Sequence, residues 1–456
     1  MGPGLILAAA AGCGGAPQGT GAPVRPSPDQ TLNQLFNLQG VYQRIGRLAT
    51  GAAPPFVGNV SVVAGPGDSV IALLGLSLQN RALVFQRSEP GFIARYRVDV
   101  ALQVTPSAGE DSARFAATGT PAPITMGREE VVRVPSFNET LRTDESIIFR
   151  QSFMVLPGTY KVTVQVKDMV GGATSRAEGT FTAPAYGAGS LSEPILAYQA
   201  TPRTALSQPL DLIPNPRGVL VYGGDSLRIY LEGYRLPGPV TVPLDVRDER
   251  DSVIIRDSVR FSGQRPVEGM VLRLSPSAIP LGIARLSVGA GAQARSTGIL
   301  VSFAQGWLLT NYGEMVTLLR YFPNQTLVDS LRKAPESERP RLWREFWAAT
   351  DPNPATPENE ALDVYFARLA AANARFRDEG VPGWRTDRGE VFIQLGDPDE
   401  VYDAGSSTQR RYLRWVYNDY RLSLTFVDET GFGRFRLTPA SRSEFERVAA
   451  RLRSTS

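Results

Sequence analysis

Hydrophobic and polar residues alternate with a period of two in the first part of the chain, residues 56–186. In FIARYRVDVALQV, residues 92–104, apolar side chains beginning with Tyr96 occupy one face and mainly charged side chains the other. Residues 146–155 and 158–168 alternate in the same way, and segments rich in Gly and Pro separate the runs. Short alternating strands at such spacing predict an antiparallel β-sandwich domain of immunoglobulin-like type over residues 56–186.

The same pattern returns over residues 190–304. GDSLRIYLEGYRL (224–236) opens with a turn and then alternates, and GMVLRLSP (269–276) and IPLGIARLSVGAG (279–291) behave similarly. The intervening TAPAYGAGSLSEP (182–194) has the composition of a linker. We therefore predict a second antiparallel β-sandwich domain, again immunoglobulin-like, over residues 190–304.

The period changes to that of a helix after residue 306. SERPRLWREFWAAT (337–350) places Trp343, Phe346 and Trp347 on one helical face. Residues 356–380 keep an apolar stripe, and Thr356 is the predicted N-cap, with proline at the next position.

Further elements complete this last region. The apolar run EVFIQLG (390–396) predicts a strand, as do residues 413–428 and 432–439, and residues 442–454 predict an amphipathic helix. Residues 306–456 thus form a predicted α+β domain. The predicted fold class is a multidomain protein in which two β-sandwich domains precede this α+β domain, in line with about 100–200 residues per domain.

The amino terminus resembles an export signal. The apolar run GLILAAAAGCGG ends in small residues before Cys13, which is typical of a bacterial lipoprotein signal whose cysteine becomes acylated. Residues 1–13 are therefore a predicted signal peptide with lipidation at Cys13, and residues 14–55 a predicted flexible tether with a short helix. The alternative is an Ala/Gly-rich leader with a free thiol. Lipidation predicts a bacterial cell-envelope protein, held at the outer membrane and facing the periplasm.

Composition excludes several kinds of chemistry. The chain has no histidine and one cysteine, which excludes Ser-His-Asp and Cys-His catalysis, zinc sites that need imidazole and an intrachain disulfide. The formal net charge is +3 without a block of like charges, which argues against nucleic acid as a partner. We predict no cofactor and no metal, and we assign no catalytic residue.

A longer motif identifies a family. Gly383-Trp384-Arg385-Thr386-Asp387, followed by GDPDE (396–400) and preceded by Trp343-x-x-x-Trp347, resembles the signature of the GWxTD domain. The resemblance extends over about residues 310–440. It implies a bacterial exported protein, often a lipoprotein, with β-rich segments before the domain and no established activity.

Two interpretations of the motif's side chains remain open. Asp387, Asp397, Asp399 and Glu400 have the oxygen ligands of a cation site or an acid/base pair, but acids in turns also accept backbone hydrogen bonds. Trp384 and the Trp343/Trp347 pair have the rings of a platform for a glycan or peptide, but such aromatic residues also fill cores.

The candidate binding residues are Trp384, Thr386, Asp387, Asp397, Asp399 and Glu400.

Two functional hypotheses follow. In the first, the protein is a non-catalytic envelope lipoprotein, a scaffold or binding module for another envelope protein or a polysaccharide. In the second, the last domain is a carboxylate-based hydrolase, metal-assisted or not, that acts on envelope material. The second requires Asp387 and at least one of the other three acids to converge in an open cleft.

Overall fold

The computed structural model describes residues 38–106, 121–142, 147–276, 279–356, 358–377, 381–403 and 411–455, together with Leu32, Leu35 and Glu145. In this part of the chain antiparallel sheets predominate, and the longer helices come after residue 311. The predicted order, β-rich regions followed by a region that combines helices and strands, is therefore confirmed. The predicted signal peptide with Cys13 lies outside the described residues.

The first β-unit spans residues 48–183 and follows a short helix. The preceding helix is α1 (Gln39–Arg44). The elements of the unit are β1 (Leu48–Thr50), β2 (Phe56–Ala64), β3 (Val70–Leu78), β4 (Gln86–Ser88), β5 (Gly91–Thr105), β6 (Ile124–Val134), α2 (Phe137–Thr140), β7 (Ile147–Val155), β8 (Gly158–Asp168) and β9 (Thr174–Ala183). One sheet has the order β1-β2-β3-β7 and the other β4-β5-β8-β9, with β6 also paired to β5. The two sheets share one core, to which β3 contributes Leu74 and β5 contributes Val98.

The second β-unit spans residues 195–302. Its strands are β10 (Ile195–Ala200), β11 (Leu212–Pro214), β12 (Val219–Val221), β13 (Leu227–Tyr234), β14 (Val240–Asp248), β15 (Val253–Phe261), β16 (Val267–Leu274), β17 (Gly282–Val288) and β18 (Arg295–Ser302). They form two sheets, β11-β10-β13-β16 and β12-β18-β17-β14-β15, in which only the short β12–β18 pairing is parallel among the described strands.

The C-terminal unit spans residues 307–455. Its elements are α3 (Tyr312–Leu318), α4 (Gln325–Lys333), α5 (Arg339–Thr350), α6 (Glu360–Arg375), α7 (Asp387–Leu395), β19 (Glu400–Asp403), β20 (Arg411–Tyr417), β21 (Leu422–Asp428), β22 (Arg436–Leu437) and α8 (Pro439–Thr455). The strands form an antiparallel sheet in chain order. Across the described ranges, no helix combines the length and hydropathy that crossing a bilayer requires.

The prediction of a strand at residues 390–396 is wrong, because this segment belongs to helix α7. A short apolar run fits a buried helix as well as a strand. The helix is selected by Thr386, whose hydroxyl caps its first turn, and by the burial of Val391, Phe392 and Leu395 against the core. Gly396 ends helix α7 at a φ of +87°, a backbone conformation that is unfavourable for residues with a side chain.

The predicted start of α6 is also wrong. Its N-cap is Asn359, which accepts a hydrogen bond from the Leu362 amide at 3.0 Å, and not Thr356. The fully buried Asn359 side chain also donates to the Trp347 carbonyl at 3.0 Å and so ties the start of α6 to the end of α5. A tertiary contact therefore chooses between two residues that are both good caps.

The acids after α7 lead into a strand, in which Glu400 is the first residue. The Asp399 amide donates to the Val416 carbonyl at 2.9 Å, and the Asp399 carboxylate accepts from the Asn418 amide at 2.6 Å. These two bonds align the chain beside β20, so it continues as β19.

The first and second β-units stack sheet on sheet. Strand β3 is buried on both faces: alternate residues point into the first core, and Ile71 and Leu73 point at Ile195 and Tyr230 of the second unit. A strand covered on both sides reads as a continuous apolar run, as VIALLGLSL does.

A buried ionic network crosses this stack. Arg203 donates to both oxygens of Glu232 at 2.7 Å, and the two side chains are 2% and 0% exposed. Glu232 also accepts from the hydroxyls of Tyr230 and Tyr234. Arg203 donates to the Ala64 carbonyl of the first unit at 2.8 Å. The charges are therefore paired, and their hydrogen bonds link the two units.

The second β-unit and the C-terminal unit share one continuous core. Phe303, just after β18, packs edge-on against Trp343 of α5 with ring centroids 4.6 Å apart. Trp307 packs on Phe366 of α6 at 4.3 Å and donates its indole N–H to Asp363 at 2.9 Å. The predicted boundary near residue 305 thus crosses a hydrophobic core.

Residues that precede the first β-unit reach across the other two units. The Leu35 carbonyl accepts from the Leu308 amide at 2.7 Å, and Tyr42 packs with Leu300 of β18. Arg47 donates to the Gly298 carbonyl at 3.0 Å. This segment therefore fastens the three units together.

Candidate functional site

The GWRTD stretch, residues 383–387, forms a tightly packed corner between α6 and α7. Gly383–Arg385 makes one turn of 3-10 helix against the end of α6. A Cβ at Gly383 would lie only 2.7 Å from the Phe376 carbonyl oxygen, and a Cβ at Gly389 would overlap the Gly383 carbonyl oxygen. The two backbones approach so closely that both positions require glycine.

Trp384 is part of the core at this corner. Its side chain is fully buried and packs edge-on against Tyr321 at 6.3 Å, while the Arg385 guanidinium lies 4.7 Å from its ring centre. With no accessible ring face, Trp384 cannot serve as a platform for a glycan or peptide in this conformation.

Thr386 and Asp387 hold the corner by hydrogen bonds. The Thr386 hydroxyl donates to the Gly383 carbonyl at 2.8 Å and accepts from the Gly389 amide at 3.0 Å, which caps α7. The Asp387 carboxylate accepts from the Leu437 amide at 2.8 Å and pairs with Arg442 of α8 at 2.9 Å. Together these two side chains connect the start of α7 to the preceding 3-10 turn, to β22 and to α8.

The other acids lie at the opposite end of α7. Asp397 pairs with Arg375 at 2.7 Å and is 70% exposed, whereas Asp387 is 14% exposed. A helix of nine residues separates the two positions by about 13 Å. The hydrolase hypothesis requires Asp387 to converge with Asp397, Asp399 or Glu400 in an open cleft. The structure does not bring these side chains together.

Within the ranges that the structure describes, no group of three or more His, Cys, Asp or Glu side chains is placed to hold a metal ion.

The Trp343/Trp347 pair lies at a different place, a cleft of about 630 Å³ between the second β-unit and the C-terminal unit. Trp343 is buried, and Trp347, one helical turn later, is half-buried and packs edge-on against it at 6.2 Å. We call this the indole cleft. Its walls are the β12–β13 loop (221–226), residues 304–306 and the facing side chains of α5 and α6.

The β12–β13 loop is held in place by its glycine. Gly223 has a φ of +75°, and a Cβ there would lie 2.6 Å from the Pro340 carbonyl oxygen of α5. The Arg344 guanidinium donates to the Gly223 carbonyl at 2.6 Å. The loop therefore packs closely on α5, and Asp225 and Ser226 follow at the exposed rim of the cleft.

A family model of the GWxTD domain matches residues 290–438. This chain contains a GWxTD domain. The predicted resemblance is confirmed, and the matched stretch begins before β18, so it includes part of the sheet on which the helices pack. Each residue of the motif in this GWxTD domain supports the folded corner by a contact described above.

Outside the GWxTD family, the similarities of this chain to known proteins are weak. None of the curated proteins matches this sequence. The trypsin-activated alpha-2-macroglobulin of Escherichia coli is similar at 11% identity and a TM-score of 0.18, over 56% of this chain and 17% of that one. A putative secreted protein from Parabacteroides distasonis is similar at 9% identity and a TM-score of 0.11, over 53% and 81%. The chain spans about a sixth of the macroglobulin's length, and likenesses this weak carry no argument.

A second, larger cleft of about 1070 Å³ lies away from the GWxTD helices, between the two β-units. We call it the interunit cleft. It is lined by β9 residues 180–182, by β18 residues 295–298 and by Arg47 and Glu193. Glu193 accepts a hydrogen bond from the Val62 amide at 3.0 Å and so contributes to the contact between the units.

Burial raises the pKa of the Glu193 carboxyl from its usual value of 4.5 to about 7, although the Val62 amide and the charge of Arg47 oppose this. The folded protein therefore binds a proton more tightly than the unfolded chain does. Stability from this group is full below pH 4.5 and is lost as the pH rises through about 7.

We expect Glu193→Gln to be more stable than the wild type at pH 8, by about 1–2 kcal/mol once partial solvent access is allowed for, and to equal it at pH 4.5. The neutral amide keeps an acceptor for Val62 and removes the cost of the buried charge. Urea unfolding at both pH values measures the difference. Glu249→Gln, at the exposed rim of the same cleft, is the matched control, and equal stability of wild type and Glu193→Gln at pH 8 would contradict the expectation.

Sequence reasoning missed Glu193 and the polar wall of the indole cleft. Glu193 stands in a segment with linker composition, and Asp225 follows two glycines in an apparent turn. No local pattern marks either residue, because each gains its environment from another unit. The sequence did identify Trp347 as a candidate, because it shares the Trp-x-x-x-Trp spacing with Trp343.

Proposed function

We propose that this protein is a non-catalytic binding protein of the bacterial cell envelope, anchored by an acylated Cys13. The observation that carries the proposal is that the side chains of the motif are buried or bonded to other parts of the folded chain. Trp384 and Thr386 are fully buried, and Asp387 is bound by an amide and by guanidinium groups. Residues engaged in this way build a scaffold and are not available for acid/base chemistry.

The β-units support the same proposal. Each has two sheets around one core, and we propose that both are immunoglobulin-like sandwiches. Such units commonly serve as rigid supports for binding loops. Here the first unit, the second unit and the GWxTD domain are joined by shared cores and by the Arg203–Glu232 network. A rigid array of this kind would hold its clefts in a fixed arrangement relative to one another.

The anchoring part is tested on the full chain expressed with its own amino terminus. Because Cys13 is the only cysteine, incorporation of a fatty-acid label must be lost in Cys13→Ser if acylation occurs there. We expect the wild type to partition into detergent and the variant into the aqueous phase, since acyl chains supply the membrane affinity.

Asp397→Asn, exposed and distant from Cys13 in sequence, is the control and should partition like the wild type. An unlabelled wild-type chain in the aqueous phase would refute the anchored form of the proposal. Envelope-directed hydrolysis that depends on Asp387 but not on the folding of the corner would refute its non-catalytic form.

A further inference from the structure

We propose that the indole cleft binds a neutral carbohydrate, with a sugar ring packed on the accessible part of Trp347. The inference rests on the proposed binding function and names the site and the ligand class. At about 630 Å³, the cleft lies within the range of about 300–1,000 Å³ that small-ligand pockets occupy.

Trp347 provides a fixed aromatic surface. Its indole is half-buried, while the buried Trp343 indole packs edge-on against it at 6.2 Å and Asn359 binds its carbonyl. The ring is therefore held in place while part of it faces the cleft. The C–H face of a pyranose is apolar and can pack on such a ring, as other apolar groups do on indole.

Polar groups that line the same cleft suit hydroxyl groups. Asp225 and Ser226 stand on the loop that Gly223 fixes against α5, and Gln305 also lines the cleft. Carboxylate and amide oxygens accept hydrogen bonds from sugar hydroxyls, and the serine hydroxyl both donates and accepts. An aromatic surface and such polar groups in one cleft meet both requirements of a sugar ring, an apolar contact and hydrogen bonds to its hydroxyls.

The charges around the cleft favour an uncharged ligand. Three carboxylates line it: Asp225, Glu358 and Asp363. They face three guanidinium groups. Arg344 lines the cleft itself, Arg142 lies 3.9 Å from Glu358, and Arg81 interacts with both Glu358 and Asp363. Charges of both signs therefore surround the cleft, and neither an ionic peptide nor an anionic polymer is favoured over an uncharged ligand.

The test is a titration of the detergent-solubilised full chain with neutral hexasaccharides of glucose and of N-acetylglucosamine. Binding is followed by tryptophan fluorescence and by calorimetry. We expect at least one probe to bind with a Kd on the order of 10 μM to 1 mM. Trp347→Ala should weaken that binding at least tenfold, and Asp225→Asn severalfold.

Asp225→Asn tests the site even if Trp347→Ala does not fold, because residue 225 is exposed and its substitution leaves the core intact. Phe432→Ala, 78% exposed and outside the cleft, is the matched control and should bind like the wild type. Loss of binding in Asp225→Asn, with unchanged circular dichroism, supports the site even if Trp347→Ala unfolds.

Three results would overturn the inference. The first is that no neutral probe binds, and the second is that binding is unchanged in both cleft variants. The third is that oligolysine or oligoglutamate binds in a Trp347-dependent manner more tightly than the neutral sugars. Because the titration does not depend on Cys13, failure here leaves the anchoring result untouched, and failure of acylation leaves this result untouched.

Discussion

Replacing Glu232 by alanine is expected to lower the free energy of unfolding by about 3–5 kcal/mol. The substitution leaves the Arg203 guanidinium, 2% exposed, without its carboxylate partner at 2.7 Å. It also removes the acceptor of the Tyr230 and Tyr234 hydroxyls. Since Arg203 bonds to Ala64 across the unit boundary, the loss should appear as weaker coupling of the first and second β-units. Urea unfolding of the full chain, followed by fluorescence and circular dichroism, measures both effects.

An exposed ion pair provides the control. Glu178 pairs with Lys161 at 2.6 Å on the surface, and Glu178→Ala should change stability little because water screens that pair. The Arg203→Ala/Glu232→Ala double variant should lose less than the sum of the single losses, as coupled partners do. Additive losses, or a loss below about 1 kcal/mol for Glu232→Ala, would show that the network does not hold the units together.

Replacing Trp384 by alanine should cost about 3–5 kcal/mol, because it leaves a large cavity at the corner between α6 and α7. The indole is fully buried and contacts Tyr321 and Arg385. Trp384→Phe fills part of the cavity and should cost less. Urea and thermal unfolding of the full chain report the loss, which should be concentrated in the GWxTD domain.

The same variants distinguish a structural role of Trp384 from a role in ligand binding. If Trp384 were a ligand platform, alanine would abolish binding and leave stability unchanged. Phe432→Ala, 78% exposed, is the matched aromatic control and should leave unfolding unaffected. A stable, fully folded Trp384→Ala protein would contradict the structural role assigned to the motif.

The residues of the GWRTD motif thus stabilise the local fold. Gly383 and Gly389 allow close backbone contact, Trp384 fills the space beneath, and Thr386 starts the helix. Asp387 then ties that helix to β22 and α8. We therefore propose a ligand site outside the motif, in the indole cleft.

Periodicity alone indicated much of the architecture. Tyr96, Val98, Val100 and Leu102 are all buried on one face of β5. The helical spacing of Trp343 and Phe346 likewise marks the buried side of α5. These predictions succeed because alternation and the helical period record which side of an element meets the core. The motif itself was recognisable because several residues recur in a fixed order.

The tertiary structure decided what short segments leave open. Residues 390–395 became helical because Thr386 caps the helix and the core covers it, and Asn359 starts α6 because it also binds α5. Glu232, Glu193 and Asp225 acquired their partners or their clefts from distant parts of the chain. The sequence by itself therefore determined the β-rich and helical regions, through local periodicity. Which charges are buried, which acids meet and where a ligand has room depended on contacts between residues far apart in sequence, which no local pattern encodes.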